Sequence, residues 1–140
     1  MINSMILQRD QLYAIVAHAR ETAPDECCGL IGGTSDAQAK TIYRLRNVTP
    51  HPQLAYEAAP EDLFVAQRNM REQGETLLAI YHSHPRSADP SPSETDVRLA
   101  FYPSATYLIV GLGGEQPVVK AFTISEHEQS WHQVEYAITD

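Results

Sequence analysis

Thr76-Leu77-Leu78-Ala79-Ile80-Tyr81-His82-Ser83-His84-Pro85 is the stretch that decides how this chain folds. Its first six residues form a short, largely apolar run after Gly74, the pattern of a buried strand. Side chains at i and i+2 of a strand point to one face. His82 and His84 therefore share a face at the strand's carboxyl end. Pro85 cannot donate to a ladder, so the strand stops there. Arg86 to Pro92 reads as a loop of Ser, Asp and Pro. A short helix then opens at Ser93 and brings Asp96 back toward the histidines. Two histidines and a carboxylate can supply three ligands to a zinc ion. Three protein ligands leave the fourth tetrahedral position to water, which is the layout of a catalytic rather than a structural site.

The same residues have ordinary readings. A histidine near a strand end is commonly a hydrogen-bonded core or surface residue. Ser93-x-x-Asp96 is also a helix capping box: the serine oxygen meets the N–H of the third helical residue, and an acid suits the positive helix end. The two readings are compatible, because a capped helix start is a rigid place to hold a ligand.

Working outward, Gln8–Thr22 predicts an amphipathic helix, with Leu12, Ile15, Val16 and Ala19 on one stripe after a short strand at Met5–Leu7. Cys28–Gly33 and Lys40–Val48 read as a hairpin, and Leu54–Ala58 as another short strand. Pro60–Gln73 reads as a helix with Pro60, Glu61 and Asp62 at its start, Gly74 as its stop and Leu63, Ala66 and Met70 on its core side. The short helix is expected over Ser93–Phe101. Three strands follow, Ala105–Gly111, Val118–Ser125 and Trp131–Ala137, with Gly113-Gly114 as a turn. No repeat, linker or low-complexity segment appears. The expected architecture is α/β: a single domain over residues 1–140, built on a mixed, curved sheet with helices packed on its faces.

The chain has 140 residues, enough for one real core. Its net charge of −8, with no Lys/Arg cluster, argues against nucleic-acid binding. Residues 1–10 show no basic and apolar pattern of a signal peptide, and no segment has the length of a membrane span. A cytoplasmic protein is the expectation. Asn47-Val48-Thr49 matches a glycosylation sequon and is assigned no role there. The two cysteines, Cys27 and Cys28, are adjacent and expected to stay reduced. Alternation should turn one inward, with Cys28 packing as a small apolar residue, and the other outward. His18, His51, His127 and His132 have no partner at ligand spacing and are read as surface or core residues. Trp131 is read as a packing residue.

Pro24-Asp25-Glu26-Cys27-Cys28-Gly29-Leu30-Ile31-Gly32-Gly33 is a helix exit followed by an apolar strand. Glu26-x-Cys28-Gly29-Leu30-Ile31, then His82-Ser83-His84-Pro85, then Ser93-x-x-Asp96 resembles the signature of the JAMM metallopeptidases, the MPN-plus domain. The resemblance spans essentially the whole chain and is closest to compact, bacterial-type members. It implies an MPN/JAMM-like, cytidine-deaminase-like fold. It also implies His82, His84 and Asp96 as zinc ligands, Glu26 as general acid/base and Ser93 as a stabiliser of the oxyanion. The loop Pro85–Pro92 is one residue longer than the family's pattern, which opens a second register, Ser91-x-x-Glu94, with Glu94 as third ligand. Ser83 should face the opposite side of the strand.

Family substrates are often ubiquitin-like proteins joined through their C-terminal tails. The resemblance therefore implies cleavage of a peptide or isopeptide bond at the tail of a ubiquitin-like or sulfur-carrier protein, bound as an added strand. Two other classes are compatible with the sequence. One is a non-catalytic MPN-type scaffold, although such proteins lack the ligand set and this chain keeps Glu26, His82, His84 and Asp96. The other is a zinc hydrolase of a small amide.

Overall fold

The computed structural model describes residues 4–140; residues 1–3, part of the amino terminus read above, lie outside it. The elements in chain order are β1 (Ile6–Gln8), α1 (Arg9–Thr22), β2 (Cys28–Gly33), β3 (Ala39–Leu45), α2 (Pro60–Glu72), β4 (Thr76–His84), α3 (Glu94–Arg98), β5 (Thr106–Gly111), β6 (Val118–Ser125), β7 (Ser130–Val134) and β8 (Ala137–Thr139). Six strands form one sheet in the order β3-β2-β4-β5-β6-β7, and β1 pairs with β8 beside it. Only β4 and β5 run parallel within the six-stranded sheet; its other neighbours are antiparallel. The sheet is mixed, as expected, and α3 lies in the crossover between its two parallel strands.

Strand alternation explains why β4 and β5 carry so few polar residues. Each is covered on both faces, so both sets of alternating side chains must be apolar. One face buries Ile31, Ala79, Tyr81, Leu108 and Val110 against Ile15, Val16 and Ala19 of α1. The other buries Leu30, Ile80, Tyr107 and Ile109 with Ala66 and Met70 of α2 and Val97 of α3. His82 and His84 have the parity of Ile80 and so open onto the α2/α3 face. Ser83 has the parity of Tyr81; its Oγ lies on the other face and accepts the Cys27 N–H at 2.9 Å.

Four expectations are corrected. Leu54–Ala58 is not a strand; only an isolated bridge joins Asn47 to Ala58. The Asn47 side chain takes the place of a partner strand. Its Nδ2 donates to the carbonyls of Glu26 and Ala55, and its Oδ1 accepts from the N–H groups of Thr49 and Glu57. The asparagine assigned no role is therefore a clamp. The Trp131–Ala137 strand divides into β7 and β8, because the chain leaves the large sheet at Glu135-Tyr136 to run parallel to β1. The helix at Ser93 ends at Arg98 rather than Phe101, with Leu99 as its cap. Finally, both cysteines are buried, on opposite faces of a sheet covered on both sides. Burial pushes the Cys27 thiol up to about 11 and the Cys28 thiol up to about 12, so neither is a ready nucleophile. Among the described residues no helix is long and apolar enough to cross a membrane.

Gly29 shows how tightly the sheet is packed around β4. It pairs with Tyr81 across the β2–β4 ladder, and the Tyr81 ring lies where a Cβ on Gly29 would go. The Tyr81 hydroxyl reaches His18 Nδ1 on α1 at 2.7 Å. Burial lowers His18 to about 4, so its neutral ring can accept the Tyr81 proton. Gly29→Ala would force this ring out of a fully buried position. It should destabilise the protein by about 1–3 kcal/mol in urea unfolding. An unchanged midpoint would show that Tyr81 can be displaced without cost.

Candidate metal centre

His82 and His84 sit in the last turn of register of β4, opposite Ile109 and Gly111 of β5. Their Nε2 atoms are 3.1 Å apart. The Asp96 Oδ2 lies 3.0 Å from His82 Nε2 and 3.1 Å from His84 Nε2. The third vertex is fixed by the capping box. Ser93 Oγ accepts the Asp96 N–H at 3.0 Å, and Asp96 Oδ2 accepts the Ser93 N–H at 2.9 Å. Cap and candidate ligand are thus one arrangement rather than competing readings. The intervening loop is held to the turn after β5, where the Gly113 N–H donates to the Ser87 carbonyl at 2.9 Å and a side chain on Gly113 would strike the Arg86 carbonyl. At the end of this loop Ser93 caps the helix and holds Asp96. Asp96, not Glu94, is brought to the histidines; Glu94 is exposed.

Glu26 comes from the segment before β2. Its N–H donates to the Pro52 carbonyl at 2.7 Å, and its carbonyl accepts from Asn47 Nδ2 at 2.9 Å. Glu26 is 5 % exposed. One carboxylate oxygen and the donor atoms of His82 and His84 all lie within 4.8 Å of one another. Its Oε1 is buried with no hydrogen-bond partner among the described residues.

A profile described as prokaryotic homologs of the JAB domain matches residues 8–125. The chain belongs to this prokaryotic JAB family. It is similar to the desampylase of Haloferax volcanii, at 39% identity over 113 residues, covering 77% of this chain and 81% of that one. It is also similar to the CysO-cysteine peptidase of Mycobacterium tuberculosis, at 37% identity over 108 residues, 76% of this chain and 72% of that one. A third relative is the probable TtuB-protein conjugate cleaving protease of Thermus thermophilus, at 36% identity, 89% of this chain and 79% of that one. The solution structure of a Desulfitobacterium hafniense protein superposes with a TM-score of 0.84 at 34% identity, covering 97% of this chain and 93% of that one. A JAB1/MPN domain protein from Archaeoglobus fulgidus, at 22% identity and a TM-score of 0.65 over 97% of this chain and 98% of that one, shares the fold. The family resemblance, the expected fold and the expected peptidase class agree with these matches.

In this JAB-family chain the donor set suits a divalent cation. Two imidazole nitrogens and a carboxylate oxygen, all electron-pair donors, face one another at about 3 Å. Protons on the imidazoles can satisfy these atoms only pair by pair, whereas one divalent cation would satisfy all three at once. The edge of a tetrahedron drawn from zinc–nitrogen distances is about 3.3 Å, close to the triangle observed. Burial pushes Asp96 upward, but the charge of His82 and hydrogen bonds from His82, His84 and Ser93 outweigh it and hold the carboxyl far below its usual range. His84 loses charge stability to burial, yet the hydrogen bond and charge of Asp96 raise it overall. Burial raises the Glu26 carboxyl; the nearby histidines oppose the shift and Asp96 adds to it.

Sequence reasoning missed Tyr56 and Asn47. The Tyr56 ring stacks on the face of His82 with centroids 4.6 Å apart and planes at 28°, and His82 Nδ1 is buried without a hydrogen-bond partner among the described residues. Tyr56 belongs to no local motif, and the sequon that contains Asn47 does not signal this role. Both act across gaps in sequence that only the fold closes.

Two measurements follow from this geometry. Asp96→Asn should lower bound metal per chain, whereas Glu94→Gln should leave it as in the wild type; the reverse would move the third vertex to Glu94. The second concerns the metal-free protein. Because the Glu26 carboxyl is raised on folding, its contribution to stability is full below the ordinary carboxylate range and is lost as pH rises through the folded value. Glu26→Gln should therefore stabilise the chelator-treated protein at neutral pH, with the gain shrinking on acidification. A gain that ignores pH would assign the effect to packing instead.

Proposed function

We propose that this 140-residue chain is a single zinc-dependent peptidase domain. It hydrolyses the peptide or isopeptide bond at the C-terminal tail of a ubiquitin-like or sulfur-carrier protein. The observation that carries the reading is the convergence of His82, His84 and Asp96 beside a buried, unpartnered Glu26. His82, His84 and Asp96 would hold the zinc. Bound there, zinc would supply Lewis acidity and lower the pKa of a coordinated water to about 7.

The chain's own residues do the rest. Glu26 takes a proton from the attacking water and delivers it to the nitrogen of the leaving amine. A raised carboxyl is suited to both halves of that transfer near neutral pH. Ser93 Oγ accepts the Asp96 N–H, which leaves the hydroxyl proton free to donate to the developing oxyanion. Tyr56 and the capping box keep the donor triangle in place. The named substrates of the similar proteins, CysO-cysteine and TtuB conjugates, support a carrier tail as the substrate class. A scaffold has no use for a buried carboxylate without a partner, which costs stability. A cytoplasmic setting, where Cys27 and Cys28 stay reduced, is part of this reading.

Glu26→Gln should keep about one zinc per chain and lose about 10²–10⁴-fold in hydrolysis of a carrier-tail conjugate, the range for removing a general acid/base. An unchanged rate would take Glu26 out of the mechanism. Loss of zinc together with activity would make Glu26 a ligand instead.

A further inference from the structure

We infer that Arg86 recognises the free carboxylate of a single leaving amino acid, so that the site favours removing a C-terminal residue over cutting a lysine isopeptide. This rests on the peptidase reading above and deepens it. Two cavities flank the donor triangle. The one beyond Asp96, about 270 Å³, is apolar and is bordered by Tyr56, Leu99, Phe101 and Tyr102. The other, about 340 Å³, is bordered by Glu26, His84, Ser93, Gln53 and Arg86.

Glu26 fixes which cavity receives the leaving group. Hydrolysis forms a bond from the water oxygen to the carbonyl carbon and breaks the bond from that carbon to nitrogen. The proton that leaves the water travels through Glu26 to the nitrogen. The amine therefore departs on the Glu26 side, into the cavity that Arg86 borders.

Arg86 is uncommitted there. Arg9, Arg44 and Arg46 are all ion-paired, and Lys120 engages Asp89 on Arg86's own loop. Among the described residues no ion pair or side-chain hydrogen bond involves Arg86, although the chain carries a net charge of −8. Arg86 is an exposed residue that lines this cavity, and its guanidinium has no protein partner to give up before it meets an anion. A planar guanidinium matches a carboxylate through two parallel hydrogen bonds. An α-amine leaving group carries its carboxylate two bonds from the nitrogen, within the same cavity. A lysine side-chain amine carries none nearby.

The test uses the zinc-loaded protein with CysO and TtuB as carriers, each in three forms. One bears a C-terminal cysteine with a free carboxylate, one the same cysteine as its primary amide, and one an isopeptide to a lysine side chain. The wild type should prefer the free acid over the other two in kcat/KM by about ten- to a hundred-fold, the range for a hydrogen bond to a charged group. Arg86→Gln should lose most of that ratio through a higher KM for the acid, and Arg86→Lys should recover part of it. Equal wild-type rates on acid and amide would overturn the role of Arg86 while leaving the peptidase reading intact. So would an Arg86→Gln protein slowed in proportion on all three forms. No cleavage of any form on either carrier would overturn both together.

Discussion

β4 is paired on both sides, antiparallel to β2 and parallel to β5, and the rest of the molecule depends on that placement. A central strand has no freedom to slip, because a shift of one residue would exchange its two faces. Tyr81 would then leave its place over Gly29, and the histidines would turn toward α1. The same ladder that buries Ala79 and Tyr81 against α1 therefore aims His82 and His84 at the opposite face. Folding and site geometry are one constraint. The parallel β4–β5 pair also requires a crossover, and that crossover delivers Ser93 and Asp96 to the end of β4.

The site is assembled at the expense of stability. Three electron-pair donors crowd together, and Glu26 Oε1 and His82 Nδ1 are buried without partners among the described residues. Groups of this kind persist only where the surrounding structure over-determines them. Here the determinants are specific. Pro52 and Asn47 grip both sides of the Glu26 backbone, Tyr56 stacks on His82, and the Ser93 cap holds Asp96. A bound cation would offset the electrostatic part of this cost, which is the physical reason to expect metal and fold to stabilise one another.

Much of this was legible in the sequence because it is local. His82 and His84 share a face through strand alternation alone, Pro85 ends the strand, and Ser93-x-x-Asp96 announces a capped helix. The sequence resemblance joined these pieces to Glu26, whose side chain on its own reads as a solvated acid. What stayed hidden acts at long range. Asn47 fits a sequon, and nothing nearby signals that it replaces a strand partner for residues 54–58. Tyr56 is an unremarked aromatic in a loop. The final strand reads as continuous in the sequence because apolar pattern cannot show the chain changing sheets at Glu135-Tyr136. Both cysteines being buried likewise depends on the second layer over the sheet, which alternation along one strand does not report.

Everything proposed for the site requires two imidazoles and one carboxylate to converge on a single metal ion. X-ray absorption at the zinc edge of the zinc-loaded protein tests it most directly. Two imidazole nitrogens and additional oxygens should appear at about 2.0–2.2 Å, with no sulfur in the shell. A sulfur contribution near about 2.3 Å, which would bring Cys27 or Cys28 to the metal, or a shell without imidazole, would contradict it.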